Sequence, residues 1–226
     1  MTKLSKLNIN EIERNGQWND IDPEITGIET NSTRVEKGNI FLAKAGATKN
    51  SHGVLFSNQA IERGASLVIT DPEGFKFALG KNLKPTIPFL LVRNLESTFD
   101  YLCQIFYPDK PKFVMGVTGT NGKTSVVNFS QQLIEKKNNS CVTIGTLGVG
   151  GVLSLRTDNT TPDQSFIARI LQLAKCKGSD YALLEVSSHS IVQKRIKNLA
   201  FNVFCFTNLS QDHLDYHKDM ETYFHA

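Results

Sequence analysis

The sequence predicts an α/β protein of two units: a small N-terminal α/β domain over residues 1–110 and a parallel-sheet domain over residues 111–226. Three observations carry this reading. Strand candidates alternate with helical stretches, the pattern of parallel sheets joined by crossover helices. The segment Tyr107-Pro108-Asp109-Lys110-Pro111 interrupts the alternation, because proline cannot continue a helix. Just beyond it, an apolar strand runs into a glycine-rich turn and then into a helix.

Taken in order, the apolar runs Asn39–Ala43, Ser66–Thr70 and Pro88–Val92 read as strands of the first unit. A helical stretch, Phe56–Arg63, lies between the first two, with Gly64 placed to cap its C-terminus. Leu95–Phe106 is helical in pattern and stops before the prolines. In the second unit, Phe113–Val117 has the length and composition of a buried strand. The helix Thr124–Lys137 is predicted to bury Val126, Phe129, Leu133 and Ile134 on one face. Thr161-Pro162-Asp163 reads as an N-cap followed by proline at the first helical position. The helix it opens is predicted to bury Phe166, Ile167, Ile170, Leu171 and Ala174. Tyr181–Val186 and Phe201–Thr207 read as two further buried strands. The last segment, Asp212–Ala226, is helical in pattern without a cap, so the second domain is expected to be incomplete.

Composition narrows the function classes. With 226 residues, 40% hydrophobic and 21% charged, the chain can bury a core. A net charge of +3, scattered along the chain, points to neither nucleic acid nor a membrane surface. No apolar run approaches the roughly 18 residues of a membrane span, and the start, MTKLSKLNINEIERNG, has acids where a signal peptide has an apolar stretch. Cys103, Cys141, Cys176 and Cys205 are widely separated. They read as ordinary buried thiols of a reducing compartment rather than a zinc site. The expectation is a soluble, cytoplasmic protein.

The turn after Phe113–Val117 is Thr118-Gly119-Thr120-Asn121-Gly122-Lys123-Thr124. Glycines let backbone N–H groups close on phosphate, and the helix N-terminus adds a positive dipole end. Gly119, Thr120, Asn121, Gly122, Lys123, Thr124 and Ser125 are therefore candidate nucleotide-binding residues. Lys123 would sit on the β- and γ-phosphates, and the Thr124 hydroxyl would coordinate Mg²⁺. The spacing departs from the standard loop, with Val117 where that pattern has glycine and glycines at 116 and 119 instead. Glu185 ends a buried strand, at the edge that faces the ligand crevice in open α/β sheets. A carboxylate there can hold Mg²⁺ opposite Lys123. His213 follows a strand and a short loop and can reach the same crevice. His217 and His225 read as helix-surface residues, and His189 as a residue that orders the Ser187-Ser188 turn.

The variant loop TGTNGKT resembles the ATP loop of the Mur ligases and folylpolyglutamate synthetases, which form amide bonds at the expense of ATP. Three further segments resemble the MurE type: Asp158-Asn159-Thr160-Thr161-Pro162-Asp163, the run LEVSSHSIVQKR from Leu184 to Arg195, and TNLSQDHLDYH from Thr207 to His217. The resemblance implies a ligase of peptidoglycan synthesis. It would add the third amino acid, meso-diaminopimelate or L-lysine, to UDP-MurNAc-L-Ala-D-Glu through an acyl phosphate. It implies ATP and Mg²⁺ as cofactors, Lys123, Glu185 and His213 as catalytic residues, and Thr124, Glu185 and His213 as metal ligands. Asn159, Thr160, Thr161, Ser187, Gln193 and Arg195 are implied as contacts to the sugar-peptide substrate. In the first domain, Asn31-Ser32-Thr33-Arg34-Val35-Glu36-Lys37-Gly38-Asn39-Ile40-Phe41 resembles the family segment that holds the uridine diphosphate end, with Ser32 as the matching contact. Asn31 and Thr33 stand where aspartate and arginine are usual, and Arg34 is the neighbouring candidate to replace that arginine. The segment Gly46–Gly53 loosely resembles the next nucleotide-contacting loop. After Tyr223-Phe224-His225-Ala226 the family carries a lysine whose carbamate helps hold metal, then the rest of the central domain and an amino-acid-binding domain. An intact member is roughly twice this size. The resemblance thus implies an N-terminal fragment, inactive alone and monomeric when complete. The alternative is a truncated module that only binds nucleotide or UDP-sugar. The NTTPD and DHLDYH segments disfavour a MurF-like or folylpolyglutamate-synthetase-like ligase.

Overall fold

The computed structural model describes residues 1–9, 11–14, 21–46, 51–81 and 86–226. They form two compact units, Met1–Phe106 and Tyr107–Ala226. The first contains strands β1 (Thr2–Lys3), β2 (Glu11–Arg14), β3 (Glu24–Ile25), β4 (Gly27–Glu29), β5 (Asn39–Ala43), β6 (Leu67–Thr70) and β7 (Phe89–Val92). Its helices are α1 (Ser57–Glu62), α2 (Pro72–Gly80) and α3 (Leu95–Phe106). The main sheet has the order β2-β7-β6-β5-β4, parallel from β7 to β4, with β2 antiparallel at the edge. Every residue of β5, β6 and β7 is buried, as strands covered on both faces require. Strand β4 escapes the sequence pattern because its buried run, Gly27-Ile28-Glu29, carries a carboxylate. Asp71 starts α2, its carboxylate accepting from Gly74 N, with Pro72 in the first turn.

The second unit contains β8 (Phe113–Thr118), β9 (Cys141–Gly145), β10 (Gly148–Gly151), β11 (Tyr181–Glu185) and β12 (Val203–Phe206). Helices α4 (Lys123–Lys136), α5 (Gln164–Cys176), α6 (Ser188–Val192), α7 (Leu214–His217) and α8 (Met220–His225) accompany them. The strand order is β10-β9-β11-β8-β12. Four strands are parallel, and β10 folds back antiparallel on β9, so the sheet is mixed rather than wholly parallel. One core packs Val114, Val142, Ile144, Ala182 and Leu184 against Ile167, Ile170, Leu171 and Ala174 of α5. A smaller one joins Val117 and Leu183 to Val127, with Val126 and Ile134 at its rim.

Four expectations need correction. The cap of α5 is Asp163, whose carboxylate accepts from Phe166 N. Thr161 and Pro162 precede it, because the Thr161 hydroxyl is engaged inside the site. The sheet-facing stripe of α4 is centred on Val127, leaving Phe129 and Leu133 63% and 65% exposed. Strand β12 is not buried: Val203, Phe204 and Phe206 are 45%, 46% and 57% exposed, because among the described residues β12 pairs only with β8 and forms an edge. Of the four cysteines, only Cys141 is fully buried and Cys176 is exposed. Burial raises the thiol pKa of Cys103 to about 12 and that of Cys141 to about 11.

Candidate functional site

The site grows from the C-terminal ends of the central strands. Strand β8 leads into the glycine loop, and α4 begins at Lys123 with Gly122 as its cap at φ 86°. Gly119 lies at φ 127°. Both positions fall where only glycine is comfortable, and a Cβ at Gly119 would also overlap the Thr207 hydroxyl. The chain after β12 braces this loop. Thr120 N donates to Asn208 O (2.9 Å) and Asn121 N to Asn208 Oδ1 (3.1 Å). Thr207 Oγ1 and Asn208 Nδ2 donate to Asn121 O at 2.7 and 3.0 Å. Lys123 folds over the loop, its Nζ donating to Gly119 O (2.6 Å) and Thr120 O (2.9 Å). Burial lowers the Lys123 pKa, while the charges of Glu185 and Asp212 oppose the shift. Asn121 and Ser125 are exposed.

Glu185 is 2% exposed. Its strand is parallel to β8, with Glu185 opposite Val117, so the carboxylate lies beside the loop. Oε2 accepts from Thr124 Oγ1 (2.8 Å) and Thr146 Oγ1 (3.0 Å), and Oε1 from Thr146 N (3.0 Å). Gly145 leaves room for the carboxylate, which a Cβ there would overlap. A pocket lined by Thr124, Asn128, Gln131, Thr143 and Glu185 opens alongside. A buried carboxylate and a hydroxyl in mutual contact form an all-oxygen donor pair, which suits a hard divalent cation such as Mg²⁺.

The structure thus brings Lys123, Thr124 and Glu185 together. His213 belongs to a different cluster. It sits in the left-handed region at φ 53°, its Nδ1 3.7 Å from Asp212 Oδ1 and its ring edge-on to His189 at 4.9 Å. No group of three or more His, Cys, Asp or Glu side chains arranged for a metal occurs among the described residues.

Thr161 is 1% exposed, and its hydroxyl donates to Glu185 O (2.8 Å) while accepting from Ser187 N (3.0 Å). Arg195 Nη1 donates to Thr161 O (2.6 Å), and its Nε and Nη2 donate to Gln193 Oε1 (3.0 and 2.6 Å). Thr161, Ser187, Gln193 and Arg195 are therefore one connected group attached to the end of β11. Thr160 Oγ1 lies 3.0 Å from Thr146 Oγ1, and Asn159 is exposed on the same loop. In the first unit, Ser32 is buried and donates to Gln59 Oε1 (2.7 Å). Asn31 Oδ1 accepts from Thr33 N and Thr33 Oγ1. Arg34 lies 3.7 Å from the carboxylate of the buried Glu29. Residues 47–50 of the Gly46–Gly53 segment lie outside the described residues.

Two histidine readings change. His217 is 3% exposed rather than on the surface, and its Nε2 lies 2.8 Å from Ser188 Oγ. His217, not His189, therefore holds the Ser187-Ser188 turn; the His189 ring packs on Tyr216 at 4.1 Å. His225 is exposed, as read. Sequence reasoning missed Gly145 and Thr146. Their signal was the apolar run Cys141–Ile144, which ends at the same sheet edge as Glu185.

Residues 117–226 match the Mur ligase middle domain. The chain is 34% identical over 205 residues to the UDP-N-acetylmuramoyl-L-alanyl-D-glutamate--2,6-diaminopimelate ligase of Bacillus velezensis, covering 89% of this chain and 40% of that protein. Against the ligase of the same name from Phocaeicola vulgatus the identity is 36% over 227 residues, 99% of this chain and 45% of the relative. A solved structure of a ligase so named superposes with a TM-score of 0.67 at 28% identity, covering 88% of this chain and 39% of that one. The MurF ligase of Thermotoga maritima, solved with ADP, superposes with a TM-score of 0.54 at 21% identity, over 88% of this chain and 41% of that one, a likeness of fold alone. The chain spans less than half the length of these relatives.

Proposed function

The chain belongs to the Mur ligase family, and from that premise we propose that it is the UDP-substrate-binding and nucleotide-binding part of an ATP-dependent amide ligase. The ligase adds a diamino acid to UDP-MurNAc-L-Ala-D-Glu, and the names of the relatives favour 2,6-diaminopimelate. The observation that carries the proposal is the Thr124–Glu185 contact at 2.8 Å beside Lys123, at the mouth of a glycine loop. On this reading residues 1–110 hold the uridine diphosphate end, with Ser32 as one contact, and residues 111–226 hold ATP.

Joining a carboxylate to an amine in water requires activation, here through an acyl phosphate. Positioning and charge neutralisation make up most of what a protein contributes to phosphoryl transfer. Lys123 leaves the carbonyls of Gly119 and Thr120 and donates to the β- and γ-phosphates. Gly119, Thr120, Asn121, Gly122 and Ser125 shape the loop around them. Thr124 and Glu185 would hold Mg²⁺, which would supply positive charge against the phosphates. Thr146 fixes the Glu185 carboxylate through its hydroxyl and its backbone N–H, and His213, in its separate ring cluster, would serve a second Mg²⁺. Ser187, Gln193 and Arg195, with Asn159 and Thr160, face the acyl substrate and supply neutral donors and one guanidinium for its amide and carboxylate groups. Thr161 acts behind them, its hydroxyl tying Ser187 to the end of β11. The working protein is longer than this chain, a monomer in the cytoplasm. The exposed apolar side chains of β12 support the added length.

The test uses the longer protein. ATP consumption is expected only when UDP-MurNAc-L-Ala-D-Glu and the diamino acid are both present. Lys123→Ala should lower turnover by about 100-fold or more, the range for removal of one group that stabilises developing charge. Near-normal turnover in that variant would sink the mechanism. Mg-ATP binding to the 226-residue chain without turnover in the longer protein would favour the binding-module alternative.

A further inference from the structure

The geometry points to Tyr223 and His217 as positioning residues: a buried strut that ties the glycine loop at Thr120 to the Ser187-Ser188 turn. The inference deepens the proposed nucleotide site and rests on that reading. Helices α7 and α8 contain four and six residues, too few to be stable by helix formation alone, so their place must come from side-chain contacts. Those contacts are unusual in being polar at both ends. Tyr223 is 7% exposed, and its hydroxyl lies 3.2 Å from Thr120 Oγ1, 103 residues away in sequence. Thr120 Oγ1 already accepts from Ser210 N at 2.9 Å and lies 3.2 Å from Ser210 O, to which it can donate. With the threonine proton directed there, the Tyr223 hydroxyl is the donor in its pair with Thr120.

The His217 ring stacks on Tyr223 at 4.9 Å with 24° between planes. Its Nε2 reaches Ser188 Oγ at 2.8 Å. A buried hydroxyl and a buried imidazole cost stability unless hydrogen-bonded. Here both partners sit in turns that carry proposed ligand contacts: Thr120 among the phosphate-binding residues and Ser188 beside Ser187. Two rings in contact therefore fix the nucleotide loop and the acyl-substrate turn relative to each other. Neither ring is among the proposed ligand contacts, so both act through the loops they hold.

The experiment is Mg-ATP binding to the 226-residue chain by calorimetry, together with melting temperature. Tyr223→Phe keeps the ring and its stacking and removes only the hydroxyl. Loss of one hydrogen bond predicts an increase in Kd of about 3–10-fold. The control is Ile170→Val, a core change within α5 and in neither loop. It should lower the melting temperature but leave the Kd at the wild-type value. A nitrogen-15 spectrum of the histidine rings gives a readout that a merely structural role would not move. Mg-ATP should shift the His217 Nε2 resonance in the wild-type chain and leave it unmoved in Tyr223→Phe. Wild-type Kd in Tyr223→Phe, or an equal Kd rise in Ile170→Val, would overturn the strut while leaving the nucleotide site standing. Absence of Mg-ATP binding by the wild-type chain would overturn the nucleotide reading, and the strut with it.

Discussion

Lys123 shows how a single side chain can be matched to two states. Without an anion its ammonium is satisfied by the carbonyls of Gly119 and Thr120, and burial lowers its pKa below that of a free lysine. Phosphate binds the charged form, so nucleotide affinity is full only well below the lowered Lys123 pKa. It should fall as pH rises through the lowered pKa, beginning below the 10.5 of an unperturbed lysine. For the ligand-free fold the sign reverses, because a lowered lysine pKa means that folding favours the neutral amine. Stability from this group should rise slightly over the same alkaline interval. Calorimetric Kd values across that range check the first statement. Affinity that stays flat up to pH 10.5 would show that Lys123 is not the phosphate partner. Glu185 depends on contacts of another kind, from neutral donors on Thr124 and Thr146.

At the level of elements, the strands and helices with long apolar periods were legible. Leu95–Phe106 and Asn39–Ala43 have the same bounds in sequence reading and structure, since apolar spacing and the following prolines or polar residues leave little choice. The glycine loop and Glu185 were legible too, because a strand end fixes where the next residue points. The unread parts have physical causes. β1 and β3 have two residues each, too few for periodicity. The face of α4 was misplaced because Val126, Phe129 and Leu133 form an apolar stripe that competes with the one on Val127. The role of Tyr223 could not be read, since a contact across 103 residues leaves no local pattern. The cap of α5 was set two residues too early, as Thr161 and Asp163 are both good cap residues. Asp163 accepts from Phe166 N and from Ser165 Oγ, so Asp163→Ala should destabilise the second unit by about 1 kcal/mol. Denaturant melts would check this, with Thr161→Ala expected to act on ligand binding as well as stability.

Across the whole molecule, the exposed face of β12 is the feature with most consequence. Val203, Phe204 and Phe206 are apolar and accessible on a strand whose outer edge has no partner among the described residues, a combination that favours pairing between chains. The 226-residue chain should therefore self-associate as concentration rises, and Phe206→Lys should reduce this without changing Mg-ATP affinity. Sedimentation of the two proteins would decide; a monomeric wild type at high concentration would refute the idea. The same strand also sets an order in time. β8 emerges from the ribosome early, whereas the groups that grip its loop, Thr207, Asn208, Ser210 and Tyr223, are made 86 to 103 residues later. A nascent chain halted before β12 would carry every residue of the glycine loop yet lack its supports. Competence to bind nucleotide would then arrive in a step, when the segment beyond β12 closes on the loop.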